Sequence, residues 1–338
     1  KNIKSLGFTN VQIVKKNKKF LLNKIGDYVL LEPSYEASDV DSIALFKIDN
    51  FKVLNANDNI FSLSQCSKLR KISKGIDIAL LPSGAHGPWP MFFDEVIEKK
   101  LMWARERKER LLENFRKYVN ATKPKWVIPI SAGLMCGGER AKQYKKFSGI
   151  SPRSEAIKYA LKTEDFKPIL LSNKCSYDFK KEKYHGQYKE ATFDNQKKYI
   201  NLLSKKPDKF SKKGLFHIDP SQHLSDLTYL LSAARKTQLM WQKKLGFKKL
   251  NHTIFFDVGH EHLYKLSFTK EIIERIDRNK IKDKKYEIFK LPYELLFGII
   301  TRHFFWDNVN TSHVYFKRKN CQLNRDAMHL MNYFNISL

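Results

Sequence analysis

Phe51-Lys-Val-Leu-Asn-Ala-Asn-Asp58 reads as a short apolar strand ending on a carboxylate. Eighteen residues on, Ile76-Asp-Ile-Ala-Leu-Leu81 runs into Pro82-Ser-Gly-Ala-His-Gly-Pro-Trp-Pro90. The second run is almost wholly apolar, as a strand buried on both faces of a parallel sheet must be. Two such strands bring an Asp and a Gly/Pro-rich, His-bearing loop to one rim. Open α/β sheets keep their chemistry there, beyond the carboxyl ends of the strands. The pair predicts an α/β fold, more broadly a mixed α+β one, with a site at that rim.

Working outward, residues 10–58 predict strands at Val11–Val14, Phe20–Leu22, Tyr28–Leu31, Ile43–Ile48 and Lys52–Asn55, separated by turn signals. The last two form a hairpin across Asp49-Asn-Phe51. Asp94 is placed to cap a long helix reaching about Val119, whose charged face Arg105-Glu-Arg-Lys-Glu-Arg110 reads as solvated. Pro124–Pro129 is a further short buried strand, opening into the loop Ser131-Ala-Gly-Leu-Met-Cys-Gly-Gly-Glu-Arg140. Ser151-Pro152 starts a helix over 151–162. Residues 174–214 are Lys-, Tyr- and Asp-rich and read as a loop-plus-helix excursion. A strong helix covers 221–245. After it come strands at Thr253–Val258 and Leu263–Phe268, a helix at Glu271–Arg278, a strand at Tyr286–Lys290, a helix from Pro292, a strand at Val314–Arg318 and a helix over Asn324–Phe334. This predicts a first domain over 1–150, a Lys-rich connecting region over 151–220 and an α+β accessory domain over 221–338.

The chain has 338 residues, 42% of them apolar and 13% aromatic, enough for a real core and against disorder. No run of 18 apolar residues occurs, so no membrane span is expected. Cys66, Cys136, Cys175 and Cys321 are scattered without metal-ligand spacing, which suits a reducing cytoplasm. The first residue is Lys and no apolar leader follows, so the chain reads as a fragment of a cytoplasmic protein. A net charge of +28 attracts anions. Only 13 of the 63 basic residues are Arg, the usual reader of phosphate and guanine, so a small anionic substrate is favoured over nucleic acid.

Each candidate residue has two readings. Asp58 is either a hard-oxygen metal ligand or a turn residue capping local backbone. His86 sits in a loop stiffened by Pro82, Pro88 and Pro90 and opened by Gly84 and Gly87, either beside a ligand or on a plain surface turn. Trp89 and Met91–Phe93 read first as core anchors, with Trp89 also a candidate substrate contact. Gly137-Gly-Glu-Arg140 either cradles an anion, Arg140 adding charge, or is an ordinary loop. His260-Glu-His262 would put two imidazoles on one strand face about 7 Å apart, or is a polar hairpin tip. His303 reads as a core histidine. No dinucleotide fingerprint, P-loop or nucleophile elbow occurs in a strand-turn-helix setting.

The runs Phe51–Asp58 and Asp77–Leu81, with Gly84-Ala-His-Gly-Pro-Trp-Pro-Met-Phe-Phe93, resemble the metallo-β-lactamase-fold module of CMP-N-acetylneuraminate hydroxylase-like proteins. Lys123-Pro-Lys-Trp-Val-Ile-Pro-Ile-Ser-Ala-Gly133, Trp241-Gln-Lys-Lys-Leu-Gly-Phe247, Phe305-Trp-Asp-Asn-Val309 and Phe316-Lys-Arg318 fit the same pattern. The resemblance implies the later part of an αβ/βα sandwich with metal at its strand ends, zinc being expected and iron or manganese the alternatives. It implies that the first ligands come from a His-x-His-x-Asp-His loop in an amino-terminal half not present in this sequence. Asp58 matches the family's later, bridging Asp. His86 would line the site or adjust protonation, and Arg140 would hold an anion. The chain departs from the pattern twice: no His lies in Glu32–Glu36, and none in Ile130–Gly133. The tail from about 250 is similar to a sterol-carrier-like module. The implied activity is that of a metal-dependent hydrolase, or a nucleotide-sugar-modifying enzyme, needing residues beyond this chain. The alternative is a non-enzymatic scaffold that binds nucleic acid or another polyanion.

Overall fold

The structure, a computed structural model, describes residues 7, 9, 11, 12, 14–33, 42–59, 61–85, 87–131, 138–192, 194–205, 224–247, 250–306, 309 and 313–336. It is a mixed α/β chain of two compact units, each interrupted in sequence. The first comprises Lys1–His86, Arg105–Leu134 and Gly149–Gln196; the second comprises Gly87–Ala104, Met135–Ser148 and Lys197–Leu338.

A seven-stranded sheet in sequential order organises the first unit: β1 (Lys19–Leu21), β2 (Tyr28–Pro33), β3 (Ser42–Ile48), β4 (Phe51–Asn55), β5 (Ile78–Pro82), β6 (Trp126–Ile130) and β7 (Lys167–Pro168). Strands β1 to β4 form an antiparallel meander; β4 to β7 are parallel. Asp49, at φ 52°, makes the tight β3–β4 turn, leaving Ile48 opposite Phe51. The parallel half needs crossover helices: α1 (Leu63–Ser73), α2 (Ile97–Thr122) and, after α3 (Gly138–Phe147), α4 (Arg153–Ala160).

Alternation along the strands gives the sheet two apolar faces. Leu54, Ala79, Leu81 and Val127 pack with Cys66 and Leu69 of α1, Leu112, Phe115 and Val119 of α2, and Ala156 and Ile157 of α4. Phe51, Val53, Ile78, Leu80, Trp126 and Ile128 face the other way. Part of that second face is covered by Tyr177 and Phe179 at the hairpin β8 (Ser176–Asp178) and β9 (Lys183–His185). Beside them runs an apolar groove of about 420 Å³ over Phe51, Val53, Ile78, Leu80 and Ile128.

The hairpin region closes on Gly186, at φ +83°, where a Cβ would stand 2.2 Å from the Lys174 carbonyl oxygen. Both the backbone conformation and the approach require glycine. Gly186→Ala is therefore expected to cost about 1–3 kcal/mol, read by urea denaturation, with faster proteolysis across 172–190. An unchanged midpoint and digestion pattern would refute that close approach.

In the second unit α5 (Lys197–Lys205) and α6 (Leu224–Lys244) precede a five-stranded sheet ordered β12-β11-β10-β13-β14. Its strands are β10 (Thr253–Asp257), β11 (His262–Ser267), β12 (Glu274–Asp277), β13 (Tyr286–Lys290) and β14 (Tyr315–Lys319); β10 and β13 are parallel, the other pairs antiparallel. α6, α7 (Tyr293–Ile300) and α8 (Arg325–Met331) bury Leu227, Leu231, Leu296, Ile300, Ala327 and Leu330 with Phe256, Phe289 and Phe316 of the sheet.

Four local expectations are corrected. Glu274–Asp277 is a strand, not helix: Ile276 pairs opposite Leu263, and Glu274 opposite Lys265. Residues 63–73 form a helix that the apolar pattern did not show. Gly138–Arg140 open a helix rather than continuing a loop. Val11, Gln12 and Val14 lie outside any strand.

Candidate functional site

The carboxyl ends of β4, β5 and β6 form one rim of the first unit, and short backbone links tie them together. Ala56 N–H donates to the Leu80 carbonyl at 3.0 Å, extending the β4–β5 pairing past β4. Ser83, 1% exposed, donates through its N–H (2.9 Å) and hydroxyl (3.1 Å) to the Ile130 carbonyl. Ser131, at φ 54°, reaches from the end of β6 to the Asn57 carbonyl, 3.4 Å away.

Within this frame Asp58 is exposed on a turn that other residues close. The Asn55 side-chain oxygen accepts from Asn57 N–H at 3.0 Å, and Asn57 takes the left-handed conformation Asn tolerates. Asn59 is buried and donates through Nδ2 to the Ala56 and Ser42 carbonyls. The capping work therefore falls to Asn55 and Asn59. Among the described residues none donates to or pairs with the Asp58 carboxylate.

His86 lies outside the described residues, as does Cys136. The residue before His86 is held firmly: the Ala85 carbonyl accepts from Arg107 Nη2 at 2.9 Å. Arg107 is only 3% exposed, so the α2 face read as solvated carries a buried cation turned to the rim loop. An alternating charge run hides such a residue, because its pattern matches that of a solvent-facing stripe.

Trp89 and Arg140 belong to the second unit. Trp89 is partly buried against the core, its ring 5.8 Å from that of Trp103. The Arg140 guanidinium lies over two rings, 4.6 Å from the Phe92 centroid and 4.3 Å from that of Tyr315. This pins a planar cation whose N–H groups point along its edges. Asp58 and Arg140 therefore stand in separate units.

The histidine pair resolves into structural contacts. His262 Nδ1 lies 2.7 Å from Asp277 of the neighbouring strand, and the His260 carbonyl accepts from Arg278. Arg278 also pairs with Asp257 at 2.7 Å. His303 is exposed, with Nδ1 2.9 Å from the Thr301 hydroxyl, and is not a core residue. Among the described residues no group of three or more His, Cys, Asp or Glu side chains is placed to hold a metal ion. Two of the thiols do not favour nucleophilic use: burial pushes Cys66 up to about 12, and burial with the nearby Glu287 carboxylate raises Cys321.

Two polar hollows lie among the described residues. One, of about 710 Å³ in the second unit, is lined by His252, Lys285 and Cys321. The other, of about 1080 Å³ in the first unit, lies past the end of β7 and is lined by Arg153, Lys174 and Lys189. No protein-family model matches the chain, and no curated protein matches it. Among the described residues no helix is long and apolar enough to cross a membrane.

Proposed function

We propose that the first unit is the metal-bearing part of a metallo-β-lactamase-type sandwich, and that the protein is a metal-dependent hydrolase acting on an anionic small substrate. A nucleotide sugar is one such substrate. The single observation that carries the reading is Asp58: an exposed carboxylate at the carboxyl ends of parallel strands, unengaged by any described residue, on a turn its neighbours already close. A hard anionic oxygen held this way suits a divalent cation, with zinc preferred and iron or manganese as alternatives. Further ligands come from outside the described residues. The two-sided sheet adds support, since helices cover one face and the apolar groove marks where a second sheet would pack. When bound, the metal supplies Lewis acidity and a water of lowered pKa. Ser83, Ser131 and Arg107 keep the rim loops in place around it.

Asp58→Ala in the full chain is the test. Expected are loss of bound metal by elemental analysis and a fall in turnover of an ester or phosphodiester probe by roughly a hundredfold, about 2.7 kcal/mol. Stability should change by no more than about 0.5 kcal/mol, as for an ordinary surface position. Unchanged metal content and turnover would end the proposal. The charge of +28 favours a second reading, a scaffold binding a polyanion. Metal-free protein whose affinity for RNA or DNA falls steeply with salt would select it.

A further inference from the structure

We infer that the hollow beyond β7 is a binding pocket for the anionic end of a hydroxyl-rich substrate, on the same rim as Asp58. The inference rests on the hydrolase reading for what happens at Asp58, but not for the pocket itself.

Topology puts the pocket on that rim. β7 runs parallel to β6, so residues after Pro168 emerge at the carboxyl ends of the strands, and Ile169 N–H still donates to the Val127 carbonyl at 2.9 Å. α4 leads into β7, so its first residues, Arg153 and Ser154, stand at the same end. With β4, β5, β6 and β7 in order, three strand spacings separate the Asp58 strand from the pocket strand, about 14 Å. A ligand two or three rings long spans that distance.

The helix N-terminus is not the binding group, because the protein already fills it. The Glu190 carboxylate accepts from Arg153 N–H (3.3 Å) and Ser154 N–H (3.1 Å). Burial pushes this carboxyl up, but the Ser154 hydroxyl and these N–H groups outweigh it and hold it below the usual range. What remains for a ligand is the charge around the cavity. Arg153, Lys174 and Lys189 line it, and none of the three forms an ion pair with a described residue. Glu190 is the one lining carboxylate. Arg153 is aimed by a bond from Nη1 to the Leu171 carbonyl at 3.2 Å, while its Nε is buried without a partner. Ser172, Gln187 and Asn195 supply the mixed donors and acceptors that hydroxyl groups need.

The wall is fixed by backbone rather than by the lysines. Lys189 N–H donates to the Ser172 hydroxyl at 3.0 Å, and Gly186 meets the Lys174 carbonyl at a distance only glycine allows. Neither the Lys174 nor the Lys189 ammonium group pairs with a described residue. A surface of +28 has many lysines, and what distinguishes these is convergence on one cavity with a positioned arginine.

The experiment is titration calorimetry of the full chain with trehalose 6-phosphate, a disaccharide phosphate, against trehalose and inorganic phosphate at near-physiological salt. Saturable 1:1 binding is expected, with trehalose at least about tenfold weaker. Lys174→Ala/Lys189→Ala should weaken binding by about tenfold or more. Lys71→Ala/Lys74→Ala, which removes the same charge at the far end of α1, should leave it unchanged. No saturation up to about 10 mM, or equal weakening by both double variants, overturns the pocket. Asp58→Asn should spare binding while lowering metal content and turnover, which separates the two claims. Lost turnover in Asp58→Asn with unaltered binding in Lys174→Ala/Lys189→Ala refutes the pocket alone. Saturable, lysine-dependent binding to a protein without metal or turnover refutes the hydrolase reading alone.

Discussion

Glu287→Ala is expected to destabilise the second unit by about 3–5 kcal/mol, the cost of removing one partner from a buried charge cluster. Glu287 is fully buried on the central strand β13. One carboxylate oxygen accepts from Arg318 Nε on β14, directly opposite in register; the other lies 3.1 Å from His252 Nε2, just before β10. One side chain thus links the three strands β10, β13 and β14. Truncation leaves the Arg318 guanidinium, packed over the Phe93 ring, without its counter-charge and His252 without its partner. Glu287→Gln keeps the volume, but sets an amide NH₂ against one of two donors, and should fall between wild type and Ala. Replacing the cluster together, Glu287→Leu with Arg318→Met and His252→Leu, should recover most of the loss, because apolar substitutes carry no desolvation cost. Urea denaturation followed by tryptophan fluorescence reports it through Trp306, 2% exposed in this core. A shift below about 0.5 kcal/mol for Glu287→Ala would mean that the cluster is not buried in solution.

The same residue sets a pH signature. Burial pushes the Glu287 carboxyl up, yet the His252 hydrogen bond and the Arg318 cation outweigh it and hold it below its ordinary 4.5. A carboxyl depressed in the folded state contributes full stability above its unfolded pKa and loses it as pH falls through the folded value. The stability gap between wild type and Glu287→Gln should therefore be flat above about pH 5 and close at more acid pH. A gap that widened on acidification would reverse the assignment.

Much of the rim was legible in sequence because its elements carry strong periodic signals. β5 is apolar at every position from Ile78 to Leu81, and that marks a strand with neighbours on both edges and layers on both faces. The long helix was legible from its repeat of Leu112, Phe115 and Val119. Where the apolar pattern thinned, it misled. α1 buries only Cys66, Leu69 and Ser73, too narrow a stripe to read; its real signal was the capping box of Ser62 and Gln65. The segment around β12 mimics a helix with Ile272, Ile273 and Ile276, and the cross-strand partners of β12 on β11 decide the matter. For the site, Asp58 and the loop after β5 were legible as one rim, since neighbouring parallel strands share an end. The pocket past β7 was not. Its cations come from Arg153, Lys174 and Lys189, segments that converge only once β7 and the Gly186 approach are formed. Arg107 was hidden by the charge pattern around it.

Arg235→Met carries the second large expectation, again about 3–5 kcal/mol, though its physics differs. Glu287 sits among opposite charges; Arg235, fully buried in α6, is held by uncharged oxygens. Its Nε donates to the Lys270 carbonyl at 3.0 Å, Nη1 to the Gln238 side chain at 2.6 Å and Nη2 to the Phe268 carbonyl at 2.9 Å. Gln238 passes the link on, donating to the Leu330 carbonyl at the end of α8 at 2.9 Å. One guanidinium thus ties the turn after β11 to two helices. Burial lowers its pKa to about 10 against a small opposing pull from Glu271, so desolvation is met by hydrogen bonds rather than by a counter-ion. Methionine fills the space but orphans three acceptors, and the two buried ones, the Gln238 side-chain oxygen and the Phe268 carbonyl, each cost about 1–3 kcal/mol. Lysine keeps the charge but cannot reproduce the fork, and should lose nearly as much. Adding Gln238→Leu to Arg235→Met should rescue little, because the Lys270 and Phe268 carbonyls stay unpaired. That separates this site from Glu287, where replacing the whole cluster restores stability. If Arg235→Met and Arg235→Lys both unfold at the wild-type urea midpoint, the three bonds contribute nothing net and the account is wrong.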